Sequence, residues 1–404
     1  MTRLLIIGGG ASGMTAALTA LDSPDIQVTL LERQARLGRK LLTTGNGRCN
    51  LTNRAASPAR YHGEDKGFCR AALERFPVED TLAWFARMGL ETVTEPGGRV
   101  YPRSNSANSV LDVLRAALAQ QERLTLLTGT AAADIRHKNG VFTCKTEDRQ
   151  VLQADKVILA AGGAAGSKVG GVMDGYRLGK ALGHHRTALL PSLVQIRTEP
   201  TYPRALKGVK ADASVALQCQ DKVLASTEGE VLFTEYGVSG PAIFDISRCA
   251  AEVGDGGQLT LDLWREKSGE DVLIWLRRRC AERGALPGGQ VFTGALHNRL
   301  GQMVVKYAGV PKREHCADFT DDELRQLAAA CKVFTLPVTG VCGFDQAQVT
   351  AGGLRTDEFD PQTLQSRVVP GFYACGEVLD VDGDCGGFNL QWAWSSARLA
   401  GLLL

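Results

Sequence analysis

The first 32 residues constrain this chain more than any other part of it. An apolar strand at 4–7 runs directly into the glycine pattern Gly8-x-Gly10-x-x-Gly13. A small-residue helix over 11–21 follows, and a second apolar strand at 28–31 ends at the acid Glu32. Strand, glycine turn, helix, strand and acid in this order predict the opening unit of a Rossmann-like dinucleotide-binding fold.

Each part of this unit has a physical role. The first glycine permits a tight turn, the second lets the backbone approach a pyrophosphate, and the third lets helix and strand pack closely. The helix N-terminus offers N–H groups and a positive dipole end to phosphates, and the acid accepts hydrogen bonds from a ribose. The residues expected to bind this part of the ligand are Gly8, Gly10, Ala11, Ser12, Gly13 and Glu32.

Bulk properties narrow the class of protein. The 404 residues carry a net charge of +2 and are 44% hydrophobic and 22% charged, which is typical of a globular chain of two or three domains. The 11 cysteines form no C-x-x-C pair and the six histidines have no metal-ligand spacing, so neither a disulfide framework nor a metal site is expected. No signal peptide or membrane span is indicated, and we expect a cytoplasmic protein.

The pattern of elements predicts an interrupted α/β protein. We expect a Rossmann-like nucleotide-binding domain over 1–190, which returns at 349–404. Between these parts, short strands predict a β-barrel-like domain at 191–264 that returns at 333–348, around a helical insertion at 265–332. The strands predicted in this barrel are 193–196, 214–218, 231–233 and 258–262.

The C-terminal segment predicts which dinucleotide is bound. A strand at 371–375 ends in Gly376-Glu377, and Asp380 follows, so an acid there can bind ribityl hydroxyls. Next, Gly386-Gly-Phe-Asn-Leu-Gln391 leads into a helix predicted over 392–403. Its N–H groups would face the N1 and O2 end of an isoalloxazine, which predicts FAD. The alternative is an ordinary left-handed turn before a helix.

Several further motifs complete a resemblance to a known family. Together they resemble the HI0933-like flavoproteins, also described as NAD(P)/FAD-dependent oxidoreductases, over nearly the whole chain. The resemblance implies an FAD-binding domain interrupted by a barrel-like and a small helical domain. Members have been linked to reductive steps on bile-acid intermediates and to dihydrouridine synthesis in ribosomal RNA, and some are labelled aminoacetone oxidases. The motifs are Gly8 to Gly13, Gly38-Arg-Lys40, Thr44 to Asn53, Gly229 to Thr234, Gly237 to Pro241, Val349 to Gly353, Gly376-Glu377 and Gly386 to Trp394.

The sequence departs from that family at two positions. Glu235 stands where a histidine often follows Phe-Thr, and Phe388 stands where tyrosine is commoner. If either side chain contacts the substrate in relatives, their substrate does not transfer directly to this chain.

The resemblance also implies which residues line the cofactor. Backbone groups of Ala132 would contact adenine, and Arg39 and Lys40 would neutralise phosphates. A strand ending at Ala161, Gly162 and Gly163 would pass beside the ligand. The other positions expected to bind the cofactor are Arg33, Thr44, Gly45, Arg48, Cys49, Asn50, Gly376, Glu377, Asp380, Gly387, Phe388, Asn389, Leu390 and Gln391.

Three residues are candidates for the chemistry itself. Cys49 and Cys385 lie in glycine-rich turns, where a helix N-terminus or nearby cations would lower the thiol pKa and let it supply a proton. Arg48 could lie near the flavin. The alternative for both cysteines is inert packing as small hydrophobic side chains.

These observations predict an FAD-dependent oxidoreductase that reduces a carbon–carbon double bond by hydride transfer, with a protein acid completing the addition. No second strand, glycine turn, helix and acid unit appears, so NAD(P)H as reductant would bind transiently over the flavin. The substrate is either a small molecule or uridine in ribosomal RNA, and RNA is favoured only by basic residues such as Arg277–Arg279 in the insertion. An oxygen-using amine oxidase and a non-catalytic flavin-bound module are the alternatives. The oligomeric state is not indicated.

Overall fold

The computed structural model describes residues 1–220 and 222–404, which form two compact units. Unit 1 comprises Met1–Leu190 and Ala347–Leu404, and unit 2 comprises Pro191–Gln346. Each unit has its own hydrophobic core. Among the described residues, none of the helices combines the length and the apolarity needed to cross a membrane.

The first part of unit 1 contains most of its elements. Its helices are α1 (Ala11–Leu21), α2 (Arg70–Arg75), α3 (Val78–Arg87), α4 (Ala107–Ala119) and α5 (Asp174–Ala181). Its strands are β1 (Thr2–Ile7), β2 (Ile26–Glu32), β3 (Thr52–Asn53), β4 (Tyr61–His62), β5 (Thr92–Thr94), β6 (Arg99–Pro102), β7 (Leu124–Thr128), β8 (Ala132–Lys138), β9 (Val141–Thr146), β10 (Val151–Ala154) and β11 (Lys156–Leu159).

The remaining elements follow in chain order. Strand β12 (Leu190–Ser192) spans the sequence junction between the units. Unit 2 contains β13 (Ile196–Thr198), α6 (Thr201–Ala205), β14 (Lys210–Cys219), β15 (Lys222–Phe233), β16 (Gly237–Ser239), α7 (Pro241–Val253), β17 (Asp255–Asp262), α8 (Gly269–Glu282), α9 (Asn298–Tyr307), α10 (Asp321–Lys332) and β18 (Phe334–Val341). Unit 1 resumes with β19 (Val349–Ala351), β20 (Phe372–Ala374), β21 (Asp382–Gly383) and α11 (Phe388–Gly401).

A five-stranded parallel sheet organises unit 1. Its strand order is β20-β11-β1-β2-β7, so β1 lies in the centre, with β2 on one side and β11 on the other. The inner strands β1 and β11 end in continuous runs of buried Val, Ile and Leu, because both faces of the sheet centre are covered. Since all the strands run the same way, the carboxyl ends of β1, β2, β11 and β20 meet at one edge, where ligands of such sheets bind.

The first and last helices of unit 1 pack against each other. Small residues make this possible: a Cβ at Gly401 in α11 would lie 2.9 Å from the carbonyl oxygen of Ala16 in α1. The indole N–H groups of Trp392 and Trp394, both buried, donate to the carbonyl oxygens of Gly376 and Leu51. Helix α11 is therefore fixed beside the ends of the parallel sheet.

Unit 2 contains a closed barrel of six strands in the order β13-β16-β15-β14-β17-β18. Helix α7 packs on the barrel strands, and α10 packs against both α8 and α9. The predicted capping box at Thr320 and Glu323 is present at the start of α10. The predicted fold class, a Rossmann-like domain interrupted by a β-barrel and helices, is confirmed. The finer domain boundaries predicted within this unit stay predictions.

Three local predictions were wrong. The strand predicted at 193–196 is displaced, because Leu193 has a φ of 50° that interrupts extended backbone and the strand begins only at Ile196. Helix α7 lies in a region where only strands were predicted, although proline at its first turn favours a helix start. Helix α11 begins at Phe388, not Trp392, because Gly387, at a φ of 104°, already completes the turn.

Candidate functional site

The N-terminal glycine turn is built by close backbone packing. A Cβ at Gly8 would lie 2.3 Å from the Ala160 carbonyl oxygen, and one at Gly13 would lie 1.7 Å from the Gly8 carbonyl oxygen. Gly8 also has a φ of 110°, which disfavours any side chain. Gly10 differs, since a Cβ there would meet no atom within 4 Å. Gly8 and Gly13 therefore serve the fold, while Gly10 borders open space.

Helix α1 begins beside that space without a side-chain cap. Gly10 is its N-cap residue and makes no side-chain hydrogen bond, and the first turn contains no acid. The first N–H groups of a helix have no partner inside the helix, so those of Ala11, Ser12 and Gly13 point out of its end. With the helix dipole, they could hold a phosphate.

Glu32 ends β2 next to this turn. Its Oε2 accepts the Gly9 N–H at 2.8 Å, and its Oε1 accepts the Gln34 N–H at 2.7 Å. Burial raises the pKa of the Glu32 carboxyl, while the two N–H bonds oppose that rise. Because each carboxylate oxygen can accept more than one hydrogen bond, Glu32 can hold the turn and still accept a ribose hydroxyl.

The ends of β11 and β20 line the same sheet edge with glycine backbone. Gly162 has a φ of 70° and open space at its Cβ position, whereas a Cβ at Gly163 would lie 2.4 Å from Thr350 Oγ1. A Cβ at Gly376 would lie 2.6 Å from Ser12 Oγ. The predicted residues Ser12 and Gly376 are thus brought together, although 364 positions in the sequence separate them.

Two residues predicted to bind different parts of the cofactor bind each other. Lys40 Nζ and Glu377 Oε2 form an ion pair at 2.6 Å, with both side chains mostly buried. The second oxygen of Glu377 accepts the Thr350 N–H at 2.9 Å. Asp380, also predicted to bind ribityl hydroxyls, is buried and accepts the Glu64 N–H at 3.1 Å. The carboxylates of Glu377 and Asp380 therefore each accept a backbone N–H beside the sheet edge.

The loop after α1 and β2 is strongly curved. Gly45 and Asn46 both have a φ of 57°, and Thr44 precedes them with extended backbone. Asn50 Oδ1 is buried and, within the part of the chain that the structure describes, has no hydrogen-bond partner. This oxygen lies 2.8 Å from the position of a Cβ on Gly387. A buried acceptor beside the start of α11 could be satisfied by a donor on a bound ligand.

Arg48 is held on the surface of the small sheet formed by β3, β6 and β5. Its guanidinium donates to Glu95 and to Asn105, and it lies 3.9 Å from the centre of the Tyr101 ring. The structure therefore accounts for Arg48 by protein contacts, and its proximity to a flavin stays a prediction.

The structure corrects the prediction that Cys49 carries a reactive thiol. Its side chain is completely buried, and burial raises the pKa of the thiol to about 12, although a hydrogen bond with Thr44 opposes the rise. The expected lowering of its pKa is wrong because burial disfavours the charged thiolate more than the Thr44 hydrogen bond favours it. Cys385 differs in being only partly buried in the turn before α11.

A second glycine turn begins helix α11. Its N-cap Gly387 makes no side-chain cap, and a Cβ there would lie 2.6 Å from the Thr52 carbonyl oxygen. Asn53 Nδ2 donates to the Gly386 carbonyl oxygen at 2.9 Å. The Asn389 side chain bonds both the N–H and the carbonyl of Gly383, at 2.8 and 2.7 Å. The N–H groups of Phe388, Asn389 and Leu390 are thereby aimed out of the helix end.

The side chain of Gln391 is committed to protein contacts, and its predicted contact with the cofactor stays a prediction. Its side chain has no exposed surface. Its amide nitrogen donates to Thr81 Oγ1, Ser395 Oγ and the Phe76 carbonyl oxygen, and its amide oxygen accepts from Thr52 Oγ1 at 2.6 Å. The two N–H groups of the amide are shared among three acceptors and its oxygen is also bonded, so Gln391 fastens α11 to β3 and α3.

The residues predicted to lie near the adenine and the phosphates bind other groups of the protein. The Ala132 carbonyl oxygen accepts from Arg177 Nη2 at 3.2 Å. Arg33 pairs with Asp174 at 2.8 Å, and Arg39 Nη1 donates to Gln34 Oε1 at 3.0 Å. Only exposed or partly exposed side chains take part, so these pairs can rearrange at small cost. Whether they contact a ligand stays a prediction.

Sequence reasoning missed a segment that borders the second turn. Strand β4 pairs with β21, and Tyr61 donates its hydroxyl to the Phe388 carbonyl oxygen at 2.9 Å. Each strand is only two residues long, so neither has a periodic pattern that could have revealed it. No cluster of three or more metal-ligating side chains occurs in residues 1–220 and 222–404.

Comparison with known proteins agrees with this geometry. The family model described as "HI0933-like protein Rossmann domain" matches residues 2–403. A protein of Clostridium scindens named "3-dehydro-bile acid delta(4,6)-reductase" is 38% identical over 99% of this chain and 98% of its own length. An Escherichia coli protein named "Ribosomal RNA dihydrouridine synthase" is 29% identical over 97% of this chain and 95% of its own.

A solved structure shares the fold at low identity. The 3-ketosteroid delta1-dehydrogenase from Sterolibacterium denitrificans superimposes with a TM-score of 0.51, at 14% identity, over 100% of this chain and 99% of that one. The chain belongs to the HI0933-like family, and it is an FAD-dependent oxidoreductase.

Proposed function

We propose that this HI0933-like protein holds FAD between its two glycine-led helix ends and reduces a carbon–carbon double bond conjugated to a ketone in a small molecule, with NAD(P)H as the electron donor. The single observation that carries the proposal is the placement of two uncapped helix N-termini, those of α1 and α11, beside the sheet ends of one unit. Each supplies unpaired N–H groups to an anionic part of a ligand.

The residues at the first helix end fit the adenosine and pyrophosphate part. Gly10 leaves open space before α1, and the N–H groups of Ala11 and Ser12 would bind phosphate oxygens there. Glu32 would accept the ribose hydroxyls while holding Gly9. The remaining predicted contacts on this side, from Arg33, Arg39 and Ala132, belong to the same proposal.

The residues at the second helix end fit the flavin ring. When bound, FAD supplies the hydride and carries negative charge after it is reduced. The N–H groups of Phe388 and Asn389 would stabilise that charge, because they lie at the positive end of α11. Asn50 Oδ1 would gain the donor that it lacks among the described residues. An orphaned buried acceptor at this point supports a bound polar ring.

A small molecule is the favoured substrate. The relative with 38% identity is named a reductase of a 3-dehydro bile acid, whereas the relative named for ribosomal RNA is 29% identical. Moreover, the arginines that would favour RNA are paired with acids inside unit 2: Arg277 with Asp321 at 2.6 Å, and Arg278 with Glu282 at 2.8 Å. Such pairing reduces the positive field that an RNA backbone would meet.

An anaerobic experiment tests the proposal. We expect the purified protein to release FAD on denaturation and NADPH or NADH to bleach the bound flavin. A 3-oxo-4,6-diene bile acid should then restore the oxidised spectrum and yield a product heavier by two hydrogens. Rapid reoxidation by air with an amine present would indicate an oxidase instead, and a flavin that no donor reduces would indicate a non-catalytic module. Unchanged dihydrouridine in ribosomal RNA from a deletion strain would exclude the RNA reaction.

A further inference from the structure

The segment over residues 60–64 lies against residues 380–384. Strands β4 and β21 pair there antiparallel, with His62 opposite Asp382. The contact is close, because a Cβ at Gly63 would lie 2.3 Å from the Asp380 carbonyl oxygen. The Asp384 N–H donates to the Arg60 carbonyl oxygen at 3.1 Å. Residues from two distant parts of the sequence therefore form one ordered surface.

A histidine and a carboxylate are joined on this surface. His62 Nε2 lies 2.7 Å from Asp384 Oδ1, while Arg60 Nη1 lies 3.3 Å from the other oxygen of Asp384. The His62 side chain is 37% exposed, so the imidazole is held by one nitrogen and can still be reached from outside. A carboxylate that fixes one ring nitrogen orients the other, Nδ1.

This pair adjoins the turn that begins α11. Asp384 is followed by Cys385 and by the glycines Gly386 and Gly387, the second of which is the N-cap residue of the helix. On the other side of the pair, Tyr61 bonds the carbonyl oxygen of Phe388, the first helical residue. His62 is therefore tied to the helix end proposed to receive the flavin ring.

Four other proton-bearing groups around this turn are poor proton donors near neutral pH, and Cys385, in the same turn, is compared with His62 in the test below. Burial raises the pKa of Cys49 to about 12 and the pKa of Tyr101 above its ordinary value. Burial also raises the pKa of Tyr61, whose hydroxyl is committed to Phe388. Arg48 is paired with Glu95 and keeps its proton at all ordinary pH values.

We propose that His62, oriented by Asp384, is the acid that protonates the substrate during reduction of the double bond; this inference rests on the proposed function. The β-carbon of the conjugated double bond receives the hydride, with its electron pair, from the reduced cofactor. The α-carbon receives the proton on His62 Nδ1, so the C=C bond becomes CH–CH. A bound flavin would give up the hydride with its electron pair and so be oxidised, and the neutral imidazole of His62 would regain a proton from water.

Charged residues lie on both of the segments that form this surface. Arg60 and Glu64 lie on its own segment, and Asp380, Asp382 and Asp384 lie on the segment paired with it. Asp384 is a positioning residue, because it acts through the ring of His62 rather than on the substrate.

The test isolates the step in which the substrate is reduced. FAD-loaded enzyme is reduced with dithionite, which removes any dependence on the natural donor, and is mixed anaerobically with a 3-oxo-4,6-diene bile acid between pH 5 and 9. In the wild type, we expect the rate of flavin reoxidation to fall as pH rises, because only the protonated imidazole can donate. His62→Gln should react about 10²-fold more slowly and lose that pH dependence.

Further measurements separate catalysis from structure. Added imidazole should partly restore the rate of His62→Gln, because the site is open to solvent. Binding of the bile acid to the oxidised enzyme, read from the flavin spectrum, should change by less than about twofold, since a proton donor acts in the transition state. Asp384→Asn should lower the rate less than His62→Gln does and keep the pH dependence.

A matched control lies elsewhere in unit 1. His185 pairs with Glu358 at 2.7 Å and is more exposed than His62. Neither His185 nor Glu358 belongs to the two paired segments beside the turn before α11. His185→Gln should leave the rate and its pH dependence unchanged.

Two results distinguish failure of this inference from failure of the proposed function. A reduced wild-type enzyme that the bile acid does not reoxidise overturns the proposed function and this inference with it. A wild type that is reoxidised while His62→Gln reacts equally fast, with the same pH dependence, overturns this inference alone. So does a Cys385→Ser variant that loses the pH dependence while His62→Gln keeps it.

Discussion

Helices α1 and α11 of unit 1 begin in similar ways but are held by different means. Both have a glycine N-cap and no side-chain cap, unlike α8 and α10 in unit 2, where Ser268 and Thr320 form capping boxes. The turn before α1 is held by Glu32, which accepts the Gly9 N–H, and by close packing of the Gly8 backbone against the Ala160 carbonyl oxygen. The turn before α11 is held by Asn53 and Thr52, which lie more than 330 positions away.

The difference shows two ways of keeping a helix end available to a ligand. At α1, the backbone itself packs so tightly that glycine is required, and one acid holds the loop. At α11, distant polar side chains hold the turn, so that its shape depends on the whole unit being folded. An uncapped helix end costs stability unless something binds there, which is why both ends point to a ligand.

The largest effect is expected at Gly13. Because a Cβ there would lie 1.7 Å from the Gly8 carbonyl oxygen, Gly13→Ala should lower the free energy of unfolding by about 3 kcal/mol and abolish FAD binding. Urea denaturation of the apoprotein measures the change. Gly289→Ala is the control, since a Cβ there meets nothing within 4 Å and should shift stability by less than about 0.5 kcal/mol. Equal stability of the two variants would contradict tight packing at the first turn.

A smaller loss is expected from Gln391→Leu. The change keeps the volume but leaves the buried hydroxyls of Thr52, Thr81 and Ser395 short of a partner, which should cost about 2 kcal/mol. Gln302→Leu, at an exposed position of α9, should cost less than about 0.5 kcal/mol. Loss of FAD from Gln391→Leu without loss of stability would show that Gln391 binds the cofactor after all.

The acid of the first turn predicts a dependence on pH. Glu32→Gln can no longer accept both N–H groups, and we expect a loss of about 1 kcal/mol in the apoprotein. Burial raises the folded-state pKa of Glu32, so the folded state binds a proton more readily than the unfolded state does. Its contribution is therefore fully present below the ordinary value of 4.5 and is lost as pH rises through the raised pKa.

The measurement is the difference in unfolding free energy between wild type and Glu32→Gln at several pH values from 4 to 7. That difference should shrink as pH rises. If it grows instead, the N–H bonds to the charged carboxylate outweigh the effect of burial.

The smallest change in stability is expected from Gly10→Ser. Its backbone is extended and its surroundings are open, so a serine hydroxyl can cap α1 and should raise apoprotein stability by a few tenths of a kcal/mol, about 0.3. The same hydroxyl would occupy the proposed phosphate position, and FAD content should fall about tenfold or more. Gly387→Ser sharpens the contrast, because its Cβ would meet the Thr52 carbonyl oxygen at 2.6 Å and should destabilise the protein. Full retention of FAD by Gly10→Ser would contradict the proposed phosphate site.

The sequence predicted best those features that depend on interactions between residues close together in the chain. Helix α1 spans Ala11–Leu21 as predicted, and the capping box at Thr320 is present, because both depend on neighbours within a few residues. The fold class was also predicted, because the hydrophobic periodicity that distinguishes strands from helices is visible within short stretches of sequence. Helix α7 was missed although Pro241 and its apolar positions were visible in the sequence.

The candidate site was predicted less completely. The glycines and Glu32 lie together at the sheet edge, but three of the four bonds of Gln391 and the pairing of Lys40 with Glu377 join residues more than 300 positions apart. The pairing of His62 with Asp384 depends on two strands of two residues each, which are too short to show a pattern. Burial of Cys49, which reverses the expected direction of its pKa, depends on the packed unit rather than on the turn.

The position of β20 at the edge of the parallel sheet has a consequence for synthesis. Its partner β11, whose Val157, Ile158 and Leu159 are completely buried in the finished protein, leaves the ribosome more than 200 residues earlier. Throughout that interval β11 can pair with β1 on one edge, but its other edge stays open, and an open edge of an apolar strand can aggregate or recruit chaperones. Unit 2 is contiguous in the sequence and can fold during this interval. Unit 1, whose synthesis begins first, is therefore the unit that is completed last.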